Sequence, residues 1–347
     1  MKFSIQLSAY YPDKNYGGDR LYADMLEQAV LADTLGYDAV SITEHHLINI
    51  LMMPAPLQFA VKIASQTQNV NIMTSVVVLP IHDMRVYAGE LVCADIFTEG
   101  RLLLGVGRGA FPFETDRLGV PLDDTREKFD ESLDLLQRLL TEEEVGASGK
   151  YYNFEPITIM PRPVRPINLM MAVMVPDGIY ACTKRGFHIQ TTPLAGNHQL
   201  LLDQVDAFNR GKDELGEAGE HLTLSLSRVC FTAQNEAHRK KLVEQAHDYY
   251  GRFDNVYTQG PGLVDNGMIR PLPRECSIDE TDANLSIHTP SQMIDKLGLY
   301  ADVGIDRFIM NVNFGASQSE TLDNIQCFAE EVMPHFVEDR RPLPKVG

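Results

Sequence analysis

The sequence predicts an α/β protein folded as a single TIM-type (β/α) barrel, and three observations carry that expectation. Apolar runs of strand length alternate with segments of helical period along the whole 347-residue chain. A glycine separates helix end from strand start three times, in Leu35-Gly36-Tyr37-Asp38, Arg185-Gly186-Phe187-His188 and Val303-Gly304-Ile305-Asp306. Glycine suits the left-handed residue that ends a helix, and the apolar residue after it packs back on the last turn. Composition does not break between the halves, so one domain over 1–347 is expected, with a doubly wound sheet as the competing arrangement.

Taken in order, 3–9 reads as a strand with Phe3, Ile5 and Leu7 on one face, and 20–35 as a helix striped by Leu21, Met25, Leu26, Ala29, Val30 and Ala32. A strand at 39–42 and a helix at 56–67 lead to a strand at 70–79 rich in β-branched residues. A helix at 84–98 precedes a buried strand at 101–106. The helix at 125–140 carries Phe129, Leu133, Leu136 and Leu140, and Asp124 with Glu127 gives it the spacing of a capping box. Strands at 167–172, 187–190, 222–231 and 307–312 alternate with helices at 177–185, 197–210, 235–250, 290–302 and 318–337. Two segments stand outside the repeat. Residues 145–166, with Gly146, Gly149, Pro156, Pro161, Pro163 and Pro166, predict an extended, strand-poor insertion. Residues 251–289 lack helical period and hold Gly260-Pro261-Gly262 and the acidic Asp279-Glu280-Thr281-Asp282, which predicts a mobile lid over the barrel mouth.

Hydrophobic residues at 44% suffice for a sizeable core and exclude global disorder. The net charge is −18, so phosphate backbones and anionic lipid would be approached against long-range repulsion, which argues against nucleic-acid and membrane partners. Cys93, Cys182, Cys230, Cys276 and Cys327 are scattered and form no C-x-x-C pair, unlike a disulfide framework or a zinc ribbon. Residues 1–8 alternate polar with apolar, unlike a signal peptide, and no run approaches the ~18 apolar residues of a membrane span. A reduced, cytoplasmic protein is expected.

In such a barrel the reacting groups stand at the C-terminal ends of strands. Three ends are unusual: Ser41-Ile42-Thr43-Glu44-His45-His46, Val78-Leu79-Pro80-Ile81-His82-Asp83 and Gly105-Val106-Gly107-Arg108-Gly109-Ala110. Glu44-His45-His46 has three readings: metal ligands, a helix cap beside a solvated ring, or proton-transfer groups. Adjacent residues on extended chain face opposite ways and no His-x-His spacing is present, which weakens the first; position at a strand end favours the third. The glycine run matches G-x-G-x-x-A, but a dinucleotide fingerprint needs a helix to open at once. Here Phe111-Pro112-Phe113 follows and the next helix is expected near Asp124. What remains is either a tight turn with a surface arginine, or a glycine-lined loop where a planar ligand meets backbone and Arg108 meets a phosphate.

At these residues the sequence resembles the bacterial luciferase-like family of flavin-dependent monooxygenases, in its luciferase α-chain branch. The resemblance runs from Gly36-Tyr37-Asp38 into Glu44-His45-His46, then Val78-Leu79-Pro80 with Arg85. It continues through Gly100-Arg101, Gly107-Arg108-Gly109, Phe113, Gly119 and Arg126, and returns in Thr289-Pro290 to Gly304-Ile305 and in Val332-Met333-Pro334. It covers nearly the whole chain and is strongest over 1–136 and 288–336.

The resemblance implies FMN at the C-terminal mouth of a TIM barrel, delivered reduced by a separate NAD(P)H:flavin reductase. O2 would react to a C4a-peroxyflavin that oxygenates a small hydrophobic organic substrate, in a homodimeric enzyme without a resident metal. By position, it implies that Arg108 meets the FMN phosphate, that Gly107 lies beside the isoalloxazine, and that His45 is the active-site imidazole with Glu44 and His46 as neighbours. It also implies a non-prolyl cis peptide between Ser75 and Val76 under the flavin. Where relatives carry small hydroxylated residues round the phosphate, this chain has Ala172-Val173-Met174-Val175-Pro176-Asp177-Gly178, leaving the backbone N–H groups of Val173 and Met174 as donors. Leu51, Met52, Met53, Phe111 and Phe113 are expected to line an apolar cavity. Three other functions compete: a deazaflavin-dependent dehydrogenase of the same fold, a metal-dependent barrel hydrolase using Glu44, His45, His46 and His82, and a non-catalytic partner subunit.

Overall fold

The computed structural model describes residues 1–336 apart from 195, 259–261 and 274–275. The chain runs β1 (Lys2–Leu7), α1 (Gly18–Leu35), β2 (Ala39–Ile42), α2 (Pro56–Ala64), β3 (Asn71–Thr74), β4 (Val77–Val78), α3 (Met84–Phe97), β5 (Leu102–Gly107), α4 (Pro112–Arg117) and α5 (Thr125–Thr141). It continues as β6 (Val145–Ser148), β7 (Asn153–Ile157), β8 (Leu169–Ala172), α6 (Pro176–Lys184), β9 (His188–Thr191), α7 (His198–Leu215) and β10 (Leu224–Thr232). The last elements are α8 (Glu236–Phe253), β11 (Val264–Asp265), β12 (Met268–Ile269), α9 (Ile278–Asn284), β13 (Ser286–His288), α10 (Pro290–Asp302), β14 (Arg307–Asn311) and α11 (Gln318–Cys327).

Strands β1, β2, β3, β5, β8, β9, β10 and β14 pair in that order, all parallel, and β14 returns to β1, closing an eight-stranded barrel. Alternation along β1 shows why it closes. Phe3, Ile5 and Leu7 face the helices in the main apolar cluster with Met25, Ala29 and Phe328, while buried Ser4 and Gln6 alternate with them. Met73, Met170 and Ile309, with Leu103 against them, form a separate apolar cluster across β3, β8, β14 and β5. The junction glycines adopt the left-handed conformation expected of them, at φ 79° for Gly36, 83° for Gly186 and 91° for Gly304.

Several expectations are corrected. The strand expected at 70–79 is two, β3 and β4, with residues 75 and 76 between them. Asp124 is itself helical (φ −83°, ψ −16°) and caps nothing with its side chain; capping boxes form instead at Ser277/Glu280, Thr289/Gln292 and Ser317/Glu320. Helix α4 opens at Pro112, ahead of the helix expected near Asp124. The insertion after α5 is not strand-poor, since β6 and β7 make an antiparallel hairpin. The segment 251–289 is not structureless: it holds a 3-10 turn at Asp254–Tyr257, the β11–β12 hairpin, α9 and β13. Its Val256, Ile269, Leu285 and Ile287 join Phe111, Phe231 and Tyr249 in a second apolar cluster. Gly260 and Pro261 of the expected lid lie outside the described residues, as does residue 337 of the expected last helix. That helix is α11 followed by a π-turn at Phe328–Val332 and a 3-10 turn at Met333–His335. All five cysteines are free, and no described helix is long and apolar enough to cross a membrane.

Candidate active site

The mouth is shaped where the chain leaves the line of β3. After Thr74, the Ser75 N–H donates to the Ile42 carbonyl (2.6 Å), the Ser75–Val76 peptide is cis, and the Val76 carbonyl accepts from the Glu44 N–H (3.2 Å). The chain then rejoins β5 with Val77 opposite Val106 and Val78 opposite Gly107. Two glycines of β5 and a third just beyond its end make room for this excursion. A Cβ at Gly105 would lie 2.1 Å from the Thr74 carbonyl oxygen, one at Gly107 2.7 Å from Val76 Cγ2, and one at Gly109 2.9 Å from Val78 Cγ1. The glycine run thus serves the packing of 74–78 against β5, with the Val76 side chain filling the space over Gly107.

Glu44, at the end of β2, is fully buried and gathers two imidazoles. Its Oε1 meets His82 Nε2 at 2.8 Å and His46 Nε2 at 3.3 Å, while Oε2 accepts from the Val78 N–H at 2.7 Å. Burial opposes charge on this carboxyl, but the bonds from His46 and His82 and the Val78 N–H together hold it below its ordinary 4.5. The Glu44 bond in turn outweighs burial at His46 and raises that ring above its ordinary 6.5.

A second carboxylate, Glu114 of α4, organises His45. Glu114 is 3% exposed; its Oε2 meets His45 Nδ1 at 3.0 Å and its Oε1 accepts from the His46 N–H. A carboxylate only accepts, so Nδ1 carries a proton and Nε2 is the proton site left open in neutral His45. The ring stacks on Phe111 with centroids 4.1 Å apart and planes 13° apart, so both its tautomer and its plane are fixed.

Ser75, Val76, Gly107, Ala172 and Val173 are brought onto adjoining strand ends. Ser75 Oγ donates to Gln190 Oε1 (3.0 Å), Ala172 stands beside Gln190 in the β8–β9 register, and Gly107 meets Val76. The Val173 N–H donates to the Gln190 carbonyl at 3.0 Å, so it is not the free phosphate donor expected. Met174 is 37% exposed, its carbonyl held by Gln204 Nε2. Arg108 donates to Thr125 Oγ1 (3.2 Å), and among the described residues neither it nor Arg126 makes an ion pair. Burial, then the neighbouring Arg126 charge, press the Arg108 guanidinium below its ordinary value. Two unneutralised arginines in a chain of charge −18 fit the phosphate of a flavin, whose charge of about −1.5 to −2 would neutralise them.

Leu51, Met53 and Phe111 are packed at 7%, 3% and 4% exposure, and Phe113 carries the Arg117 guanidinium over its ring. Glu114 and Gln190 were not identified from the sequence. Glu114 falls where a loop was expected, and Gln190 lies in a strand with no motif around it. Among the described residues no three His, Cys, Asp or Glu side chains are arranged to hold a metal ion; His46 and His82 each bond Glu44 instead.

Residues 1–307 match the family model described as luciferase-like monooxygenase. Over 98% of this chain and 97% of its own length, the oxygenase component of the flavin-dependent trigonelline monooxygenase of Acinetobacter baylyi is 25% identical. An F420-dependent glucose-6-phosphate dehydrogenase of Nakamurella multipartita is 24% identical over 90% of this chain and 92% of its own. The oxygenating constituent of 3,6-diketocamphane monooxygenase from Pseudomonas putida, solved with FMN, superposes with a TM-score of 0.78 over 98% of this chain and 100% of its own, at 16% identity.

Proposed function

This chain belongs to the luciferase-like monooxygenase family, and on that premise we propose that it is the oxygenase component of a two-component, FMN-dependent monooxygenase acting on a small hydrophobic organic substrate. The observation that carries the reading is the His45–Glu114 pair, an imidazole of fixed tautomer and plane at a barrel mouth. Reduced FMN, supplied by a separate NAD(P)H:flavin reductase, brings the electrons for activation of O2. The chain supplies the rest. Arg108 and Arg126 hold the phosphate, and Val76 and Gly107, with Ser75 and residues 172–174 beside them, form the wall against the ring. His45 takes up a proton at Nε2 and returns it, while Glu44, His46 and His82 keep the backbone of 44–46 and 76–78 in place. The aromatic cluster of Phe111, Phe253 and Tyr257 excludes water and suits an apolar substrate. In this reading 251–289 covers the mouth, and the enzyme works as a cytoplasmic homodimer.

The two arginines would serve F420 as well as FMN, and the F420-dependent relative makes a deazaflavin dehydrogenase the second reading. Anaerobic titration with reduced FMN and with reduced F420, followed by mixing with O2, separates them. Binding of reduced FMN and a transient flavin absorbance on oxygenation are expected; tight F420 binding with no reaction toward O2 would overturn the proposal.

A further inference from the structure

A cavity of about 740 Å³ opens at the N-terminal end of the barrel, away from the mouth, and its polar lining has unfilled donors. Arg307, the first residue of β14, is 9% exposed. Only one of its nitrogens meets an oxygen: Nη2 donates to Asp38 Oδ2, Nη1 lies 4.0 Å from Met73 Sδ, and Nε is buried without an acceptor among the described residues. A guanidinium has five N–H donors, and buried donors are normally satisfied. His188, the first residue of β9, adds another donor. Its Nδ1 accepts from the Thr223 N–H (3.2 Å) and lies 2.9 Å from Thr223 Oγ1, so the proton of the neutral ring sits on Nε2. Burial, then the nearby His221 and Arg307, lower the His188 value, which keeps the ring neutral.

We propose that this cavity is a second binding site, specific for a small amphipathic carboxylate whose head meets Arg307 and His188 and whose apolar body lies along Leu103, Leu169, Met170 and Phe336. The charge count selects a monoanion. Lys2 and Arg307 both pair with Asp38, the Asp306 carboxylate accepts from the Leu224 N–H at 2.7 Å, and the Met1 ammonium, which donates to the Phe336 carbonyl, leaves the wall with one net positive charge before a ligand arrives. A carboxylate balances that charge, whereas a phosphate dianion would leave one negative charge uncompensated. The cluster of Met73, Met170, Ile309 and Leu103 fills the barrel between this cavity and the mouth, so the site is independent of flavin.

The test uses the full chain labelled with methyl-13C methionine, the Met170 signal being assigned with Met170→Leu. Octanoate should move the Met170 methyl saturably with a Kd of about 1 mM or tighter. Octan-1-ol, lacking the charge, should bind about tenfold more weakly, and saturating FMN should leave octanoate binding unchanged. His188→Phe keeps the ring and removes the donor, so it should weaken octanoate about tenfold with the melting temperature preserved. Arg307→Met should abolish binding; if it fails to fold, His188→Phe decides. No Met170 response, equal binding of octanol, displacement by FMN, or unchanged affinity in His188→Phe would each overturn the proposal.

Discussion

Replacing Glu44 by Gln tests whether a buried carboxylate holds the mouth together. The native group serves three donors: the Val78 N–H at 2.7 Å, His82 Nε2 at 2.8 Å and His46 Nε2 at 3.3 Å. Glutamine offers one carbonyl oxygen and turns two donors of its own toward those already present. At least one imidazole bond is lost and the charge assistance of the others disappears, at about 1.5–3 kcal/mol for each such bond. Easier burial of a neutral amide offsets part of this, leaving a destabilisation of about 2–4 kcal/mol. The pH dependence is more telling. Glu44 is depressed below 4.5, so its contribution is full above 4.5 and is lost as pH falls through its folded value. His46 is raised above 6.5, so its contribution is full below 6.5 and is lost as pH rises through its folded value. The difference in unfolding free energy between wild type and Glu44→Gln should therefore be greatest between 4.5 and 6.5 and shrink on both sides. With no Trp in the chain, urea unfolding followed by circular dichroism is the assay. A difference that stays constant from acid to alkaline pH would refute the reasoning.

Three further outcomes follow from the same geometry. Arg108→Ala should weaken reduced-FMN binding by about 1.5–3 kcal/mol and leave riboflavin, which lacks the phosphate, almost unaffected; equal losses in flavin titrations would remove the phosphate assignment. Both His45→Ala and Glu114→Gln should lower turnover by about 10²–10⁴-fold with the fold intact and flavin affinity unchanged, and full single-turnover activity in either would reject the pair. Gly107→Ala sets a Cβ 2.7 Å from Val76 Cγ2 and should cost about 1–3 kcal/mol, recovered by adding Val76→Ala, whereas Gly105→Ala meets the Thr74 carbonyl and should not be rescued by any side-chain change.

The barrel was legible because its signals are local. Alternation in β1, and glycine at the C-terminal ends of α1, α6 and α10, need only neighbouring residues, and β2 and α10 begin and end where the sequence places them. The break between β3 and β4 was hidden because 76–79 is uniformly apolar, so strand continuity and strand rupture read alike. Helix α4 is hidden in the sequence because Pro112 reads as an interruption, although proline is well suited to a first helical turn. Strand β7 places its two apolar residues, Phe154 and Ile157, three apart, which gives no strand period to find. Glu114 lies 69 residues from His45, and no pattern in the sequence spans that distance. The charged network is a tertiary product, even though each imidazole in it stands beside a recognisable strand end.

One consequence of that network concerns how the two halves of the site depend on each other. Glu44 touches the excursion after β3 three times over, through its own N–H to the Val76 carbonyl, through Oε2 to the Val78 N–H, and through Oε1 to His82, four residues beyond Val78. From the other side, β4 is only two residues long and is fixed by Val106 and Gly107 opposite it. Val76 is therefore located by an acid on one strand and a glycine column on another, with little pairing of its own. The imidazoles and the wall proposed to meet the flavin are consequently not separable modules. A methyl group added on β5 pushes on Val76, hence on the carbonyl that Glu44 binds, hence on His46 and His82. The long-range order in the sequence, with Glu44-His45-His46 preceding Gly105-Val106-Gly107, has a physical basis in this contact: each segment is shaped to leave room for, or to grip, the same few residues between them.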